Sequence, residues 1–312
     1  MRHRAITSLL GAALAVLTSV VGASTAEAED VGYDLPEAGV FLEGIGLDQA
    51  TKTIYVTATN RDGTIYRGRA GDERLEVWQG PRAGDNGRGI DVDAAGRVYV
   101  AGGPSAEVRV FSREGTLLAE LPTGEAGSFL NDLRVGPDGT VYVTDSSLPR
   151  IWRVTVDGRG TWRIEKWLDV SATIAYTPSL TDFDLGGIVV TDDERSIVTA
   201  QGTTGRLWRI DLATRAIARI PINGPDVVNA DGLVLHGHDL YVVQNFSRQI
   251  TKLRLAGNAG AARTEDTIPT PADRTFTTAK EAGGDLLVVD SKFGFTPEQA
   301  TAADRVVTVK RF

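Results

Sequence analysis

The sequence predicts an all-β fold, a six-bladed β-propeller of antiparallel sheets closed into a single ring. Three observations predict it. A unit of about 45 residues recurs six times along the chain. Within each unit, apolar and polar residues alternate with the period of two that belongs to strands. No segment keeps helical periodicity over three turns.

Each unit opens with a short apolar strand, turns on Asp, Gly or charged residues, and returns in a β-branched and aromatic strand. The first opens at Glu43 and returns as Thr53-Ile-Tyr-Val-Thr. The second opens at Arg88 and returns from Arg97, and the third opens at Asn131 and returns from Thr140. The fourth pairs Gly186 with Ser196, the fifth Asp231 with Asp239, and a degenerate sixth Thr277 with Asp285. A third strand follows in every unit, starting at Thr64, Val108, Arg150, Arg206, Ile250 and Arg305. Turn signals such as Pro137-Asp-Gly139 separate the strands. Radial repetition hides sheet edges, and the fixed period favours it over the alternative of a two-sheet sandwich. The sixth unit ends at Phe312 with three evident strands, so residues 31–36 are expected to add its outer strand and clasp the ring.

Composition narrows the function. An apolar fraction of 42% excludes disorder, and the absence of Cys removes disulfides, thiolate metal sites and thiol nucleophiles. A net charge of −8 with no basic run argues against nucleic acid. At the start of the chain, Arg2 and Arg4 precede an apolar run over residues 6–21, and Ala26-Glu-Ala28 follows. This reads as a secretory signal peptide over residues 1–28, too short and too interrupted by Thr and Ser to span a bilayer. The expected mature protein is one propeller domain over residues 29–312, secreted, monomeric and not membrane-bound.

In a propeller the innermost strand of each blade starts at the face to which the second strand returns. The strand openings Glu43, Arg88, Asn131, Gly186, Asp231 and Thr277 therefore converge on one mouth, with Asp145, Gln244 and Asn245 at the ends of second strands. Glu43, Asn131 and Asp231 bring oxygen donors from three blades, a set suited to one hard divalent cation, Ca²⁺ before others. Zn²⁺ is disfavoured, because His236 and His238 flank Gly237 in a turn on the opposite face and nothing supplies a third ligand. Arg88, Asp145, Gln244 and Asn245 are candidate substrate-binding residues. Structural roles compete at each position. Glu43 or Asp231 would accept backbone N–H groups from a neighbouring blade, Arg88 would pair with a ring carboxylate, and Asp145 and Asp290 would cap strand ends.

The Glu43-Gly, Asn131-Asp and Asp231-Gly-Leu openings in the first, third and fifth units resemble the senescence marker protein, gluconolactonase and luciferin-regenerating enzyme family. The likeness spans nearly all of the mature chain. It implies a six-bladed propeller with one divalent cation, usually calcium, held by Glu, two Asn and Asp, and it implies lactone hydrolysis. Carried over by motif, Glu43 corresponds to the glutamate, Asn131 to the first asparagine and Asp231 to the aspartate, also a candidate general base. Gly186 stands where the second asparagine belongs, so water or a carboxylate such as Asp184 would have to fill the gap. Phe129 replaces the basic residue expected two positions before the first asparagine, which separates this chain from sugar-lactone recognition.

The expected function is a metal-dependent lactonase or esterase acting on a small molecule, with Asp231 taking a proton from the attacking water. No Ser/His/Asp arrangement is evident. The alternative is a secreted propeller that binds a small molecule or protein without catalysis, since fold alone does not fix function. A lyase or strictosidine-synthase-like activity on the same architecture has no motif in the chain.

Overall fold

A computed structural model describes residues 32–177 and 183–312. The leader read over residues 1–28 lies outside these described residues. Strand β1 is Gly32–Tyr33. Blade 1 comprises β2 (Leu42–Asp48), β3 (Thr53–Ala58), β4 (Ile65–Arg69) and β5 (Glu76–Gln79). Blade 2 comprises β6 (Ile90–Val92), β7 (Val98–Ala101), β8 (Glu107–Phe111) and β9 (Leu117–Pro122). Blade 3 holds β10 (Leu130–Val135), β11 (Val141–Asp145), β12 (Arg150–Val156) and β13 (Trp162–Asp169). Blade 4 holds β14 (Leu185–Val190), β15 (Ser196–Gln201), β16 (Arg206–Asp211) and β17 (Ile217–Ile220). Blade 5 follows with β18 (Ile222–Asn223), β19 (Ala230–His236), β20 (Asp239–Gln244), β21 (Gln249–Leu255) and β22 (Ala262–Pro269). Blade 6 is β23 (Phe276–Ala282), β24 (Asp285–Asp290) and β25 (Val306–Val309), completed by β1.

The architecture is the six-bladed propeller expected from the repeat. Each blade is an antiparallel sheet in chain order, apart from β1, which forms the outer strand of blade 6, and β18, which pairs parallel to β22 at the edge of blade 5. The expected clasp is present: Gly32 and Tyr33 pair antiparallel with Val307 and Val306. Arg305, fully buried, secures it by donating to the carbonyls of Val40 and Asp290, both at 2.9 Å, so the last blade is tied to the segment entering the first.

Closure follows from the second strands, which are apolar on both faces. In β7, Val98 and Val100 pack toward blade 1 while Tyr99 packs toward blade 3. In β11, Val141 and Val143 face blade 2 while Tyr142 faces blade 4. The same alternation around the ring produces six apolar clusters, one at each blade interface, including the interface of blade 6 with blade 1. A strand covered on both faces by neighbouring sheets is the packing unit of a radial fold.

The inner strands share one local device. Between Leu42 and Ile45, β2 advances three residues while its partner β3 advances two, from Ala58 to Val56, which is a β-bulge. Bulges recur at 131–132, 186–187, 231–232 and 277–278. In blade 2, Arg88 N–H donates to the carbonyl of Ala101, whose own N–H donates to Gly89. The bulge frees the opening residue of each inner strand from the ladder and aims it at the axis. The residue after it faces the neighbouring backbone: a Cβ on Gly44 would stand 2.3 Å from the Arg88 carbonyl oxygen, and one on Gly187 2.2 Å from that of Asp231. The glycines of the E-G, G-G and D-G openings are thus demanded by blade-to-blade contact. Threonines of the second strands complete the joint. Thr57 Oγ1 accepts the Gly44 N–H and donates to the Arg88 carbonyl, and Thr144 does the same between Asp132 and Gly186.

Candidate functional site

The five bulges and the Arg88 turn bring side chains from separate blades to one axial mouth. Glu43, Arg88, Asn131 and Asp231 line a single cavity of about 580 Å³. Gly186 contributes backbone to the same wall, and Thr277 occupies the equivalent place in blade 6, donating its hydroxyl to the Glu43 carbonyl.

The polar floor is short of internal partners. Glu43 is buried, and its Oε2 has no hydrogen-bond partner. The nearest cation, Arg88 Nη1, stands 3.6 Å from that oxygen, beyond hydrogen-bond range. Burial pushes the Glu43 carboxyl up to about 7 against the opposing effect of Arg88. Asp231 is pushed well above the carboxylate range by burial and then by the negative charge of Glu43. Its Oδ2 accepts a hydrogen bond from Asn245 Nδ2 at 2.8 Å. Asn131 is oriented by its own neighbour: its Nδ2 donates to Ser146 Oγ at 2.8 Å, and Ser146 donates onward to the Leu185 carbonyl at 2.6 Å. That commits the Asn131 amide nitrogen to the wall and leaves Oδ1 as the group available to the cavity.

Deeper in the channel, burial raises the Asp132 carboxyl to about 6 despite the positive charge of Lys280. Lys280 in turn donates to Asp91 Oδ1 at 3.0 Å, next to Arg134, at the far mouth. Burial alone would raise Asp91 as well, yet Lys280 and Arg134 hold it below its ordinary value. The far-mouth carboxylate Asp91 has two cations, one of them within hydrogen-bond distance, whereas Glu43 at the near mouth has Arg88 alone, at 3.6 Å.

The remaining sequence candidates divide. Asn245 lines the cavity and orients Asp231. Asp145 and Gln244 do not line it. Asp145 is fully buried: its Oδ1 accepts the N–H groups of Phe129, Ser147 and Leu148, and its Oδ2 accepts Ser128 Oγ and Trp152 Nε1. Gln244 donates to the Val228 carbonyl and accepts from Thr251 and Gln249. Both serve the blade, and neither lines the cavity. Asp184 reaches the cavity wall, where its Oδ1 accepts from Gln201 and Thr203 and its Oδ2 from the Thr177 N–H. His236 and His238 lie at the β19–β20 turn on the opposite face, His236 beside Glu281 at 2.9 Å.

Sequence reasoning missed Asn229 and the aromatic rim. Asn229, two residues before Asp231, takes a left-handed φ of 60° and lines the cavity. Its Nδ2 donates to Ser247 Oγ at 2.9 Å, which again leaves a side-chain carbonyl oxygen for the cavity. The tolerance of Asn for positive φ was the available signal. Phe183, Phe246 and Phe293 also line the cavity, and Phe129 stacks at 4.7 Å from Phe183. Arg88 lies between two of these rings, 5.0 Å from the centroid of Phe129 and 6.0 Å from that of Phe293.

No protein-family model matches the chain, and no curated protein matches it. Solved structures do. A gluconolactonase from Xanthomonas campestris superposes with a TM-score of 0.60 at 18% identity, covering 81% of this chain and 84% of its own. The calcium-binding protein regucalcin from Agrobacterium tumefaciens gives 0.62 at 14% identity, covering 90% and 97%. The fold is shared with these proteins. A virginiamycin B lyase from Staphylococcus aureus gives 0.60 at 16% identity, covering 82% and 80%. At these identities the likeness extends to the propeller and not to the chemistry of any one of them.

The donor set fits a hard cation. Glu43 Oε2 is a buried oxygen with no hydrogen-bond partner, Asp231 supplies a second carboxylate, and Asn131 and Asn229 present neutral oxygens. Among the described residues no group of three or more His, Cys, Asp or Glu forms a metal-binding cluster. The donors are therefore a mixed carboxylate and amide set, which suits Ca²⁺ and not Zn²⁺.

Proposed function

We propose that this protein is a hydrolase that opens a lactone or related small ester in the axial cavity, with a divalent cation, calcium before others, bound by Glu43, Asn131 and Asp231. The observation that carries the reading is the unpartnered Glu43 Oε2 beside a second, half-buried carboxylate, Asp231, whose proton affinity is raised by desolvation and then by the charge of Glu43. Glu43, with Arg88 no nearer than 3.6 Å, and Asp231, with Asn245 as its side-chain donor, are together costly when both are charged. A bound cation would neutralise them and supply Lewis-acid polarisation of an ester carbonyl.

The chain's own residues then have defined tasks. Asp231, held by Asn245, accepts a proton from the attacking water, for which its raised proton affinity suits it. The water oxygen bonds to the carbonyl carbon, the ring C–O bond breaks, and the departing oxygen takes the proton, leaving a hydroxy acid. Arg88 stands where the carboxylate product is formed, stiffened by Phe129 and Phe293. Gly186 offers no side-chain oxygen, so a cation held by Glu43, Asn131 and Asp231 would draw further oxygens from water or substrate.

The lyase comparison gives a second reading, and one observation weighs against it. A histidine-to-alanine variant of the Staphylococcus aureus lyase is catalytically inactive, whereas among the described residues no histidine lines the cavity here. A non-catalytic binding propeller is the remaining competitor. Hydrolysis of six-membered lactones followed by acid release, with excess calcium and then with chelator, tests the proposal. Calcium-dependent turnover lost in Asp231→Asn is expected; no turnover with calcium present leaves the binder. We also place the working protein outside the cell, on the leader pattern of residues 1–28. A secreted chain beginning near Glu29 supports this, and an intact Met1 retained inside the cell refutes it.

A further inference from the structure

The walls above the polar floor are aromatic. Phe183 is 40% exposed and Phe246 60% exposed, and both belong to the lining of the same cavity. Large apolar side chains left open to water at a concave, enclosed site mark a surface that a ligand covers. Phe293 continues the wall, and Phe129 stacks on Phe183 while facing the guanidinium of Arg88. In the same lining, Gly186 has open room: an added Cβ would meet nothing closer than the Asp231 carbonyl oxygen at 3.7 Å, unlike Gly187 next to it. The cavity is thus polar at its base, aromatic along its sides and widened where a side chain is missing. Its volume of about 580 Å³ falls within the ~300–1,000 Å³ of pockets that enclose drug-sized ligands. A flat apolar group covers these phenyl faces with no polar atom to desolvate, whereas each hydroxyl of a polyhydroxylated ring that meets a phenyl face gives up a water hydrogen bond without replacement.

Resting on the hydrolase reading above, we infer that the substrate carries an aromatic or similarly flat apolar group, which Phe183 and Phe246 clamp while its ester carbonyl reaches the floor between Arg88 and Asp231. Aromatic pairs at such distances favour offset or edge contacts, and the open Gly186 side gives the flat group depth to enter.

Three lactones with the same six-membered ring separate the possibilities: 3,4-dihydrocoumarin with a fused benzene ring, δ-valerolactone with none, and δ-gluconolactone with hydroxyls. The full mature chain with calcium, and its Phe183→Ala and Phe246→Ala variants checked by melting temperature, are assayed on each. Because the leaving groups differ in reactivity, the readout is the change in the ratio of kcat/KM for dihydrocoumarin over δ-valerolactone. A fall of about tenfold in the variants is expected from loss of an aromatic contact. An unchanged ratio, or δ-gluconolactone preferred by the unmodified protein, overturns the inference while leaving the hydrolase reading intact. Calorimetry with 3-(2-hydroxyphenyl)propionate separates the two claims from the other side. If no lactone is opened but this acid binds and loses affinity in both variants, the hydrolase reading falls and the aromatic clamp stands. No binding and no turnover overturns both.

Discussion

Asn245 Nδ2 donates to Asp231 Oδ2 at 2.8 Å, joining the residue after β20 to the bulge of β19 within one blade. This hydrogen bond is the part of the floor that fixes where the Asp231 carboxylate faces, and it favours the ionised form against burial and Glu43. Asn245→Ala is expected to lower kcat on a lactone by about 10–100-fold, as for loss of an outer-shell partner. Removing a donor that stabilises the carboxylate raises its proton affinity further, so the acidic limb of the rate profile should move to higher pH. A merely structural asparagine would lower stability and leave that limb in place.

Calcium should stabilise the folded protein through Glu43 and Asp231. A ligand at 100 times its Kd adds about 2.7 kcal/mol, enough to read as a rise in melting temperature. Glu43→Gln and Asp231→Asn are each expected to abolish most of that rise while leaving the metal-free variant folded, since each removes a carboxylate lacking full compensation. A calcium response of equal size in both variants would place the ion elsewhere.

The ring was legible because its cause repeats. Alternation in Arg97-Val-Tyr-Val and Thr140-Val-Tyr-Val turns Tyr99 and Tyr142 each toward the following blade and the flanking valines toward the preceding one. Glu43, Asn131 and Asp231 were legible because equivalent openings meet at one mouth. Asp145 and Gln244 looked equivalent to one another and are, but as acceptors for the blade. The donor lies seven residues on, across the hairpin: Trp152 Nε1 to Asp145, Trp208 Nε1 to Gln201, and Thr251 Oγ1 to Gln244. That spacing was visible in the sequence, whereas the turn N–H groups that absorb the rest of Asp145 depend on a backbone path that no side-chain pattern encodes. The rim was illegible for another reason. Phe183, Phe246 and Phe293 come from loops of different blades, and only the closed ring brings them to one cavity.

The metal-free protein should lose stability as pH rises through neutrality. Folded Glu43 holds its proton up to about 7, while the unfolded chain releases it near 4.5. Between those values the folded state binds more protons, so stability falls with pH, by on the order of 3 kcal/mol for this group alone. Asp231 and Asp132 are raised by burial and act with the same sign. Asp91, lowered by Lys280 and Arg134, acts with the opposite sign, but only below the ordinary carboxylate range. Denaturant midpoints in chelator are therefore expected to fall from pH 5.5 to pH 8, with a shallower fall in Glu43→Gln and with calcium. A flat profile in chelator would mean that Glu43 is already neutralised.

Gly186 and Gly187 are adjacent, and the ring treats them oppositely. A Cβ at Gly187 would lie 2.2 Å from the Asp231 carbonyl oxygen and 2.9 Å from Leu233, so Gly187→Ala forces blades 4 and 5 apart. Overpacking of this kind costs about 1–3 kcal/mol, and a lower denaturation midpoint is expected. At Gly186 the nearest atom is 3.7 Å away, and Gly186→Ala should change stability by less than about 0.5 kcal/mol. Gly186→Asn goes further, since it places an amide at the opening of β14 and on the wall of the cavity that holds Glu43, Asn131 and Asp231. An added oxygen donor should tighten calcium by about tenfold. Because the same side chain takes the room that admits a flat substrate, kcat/KM for dihydrocoumarin should fall as calcium affinity rises. If calcium affinity does not rise in a variant that melts like the parent, the Gly186 wall is not beside the ion.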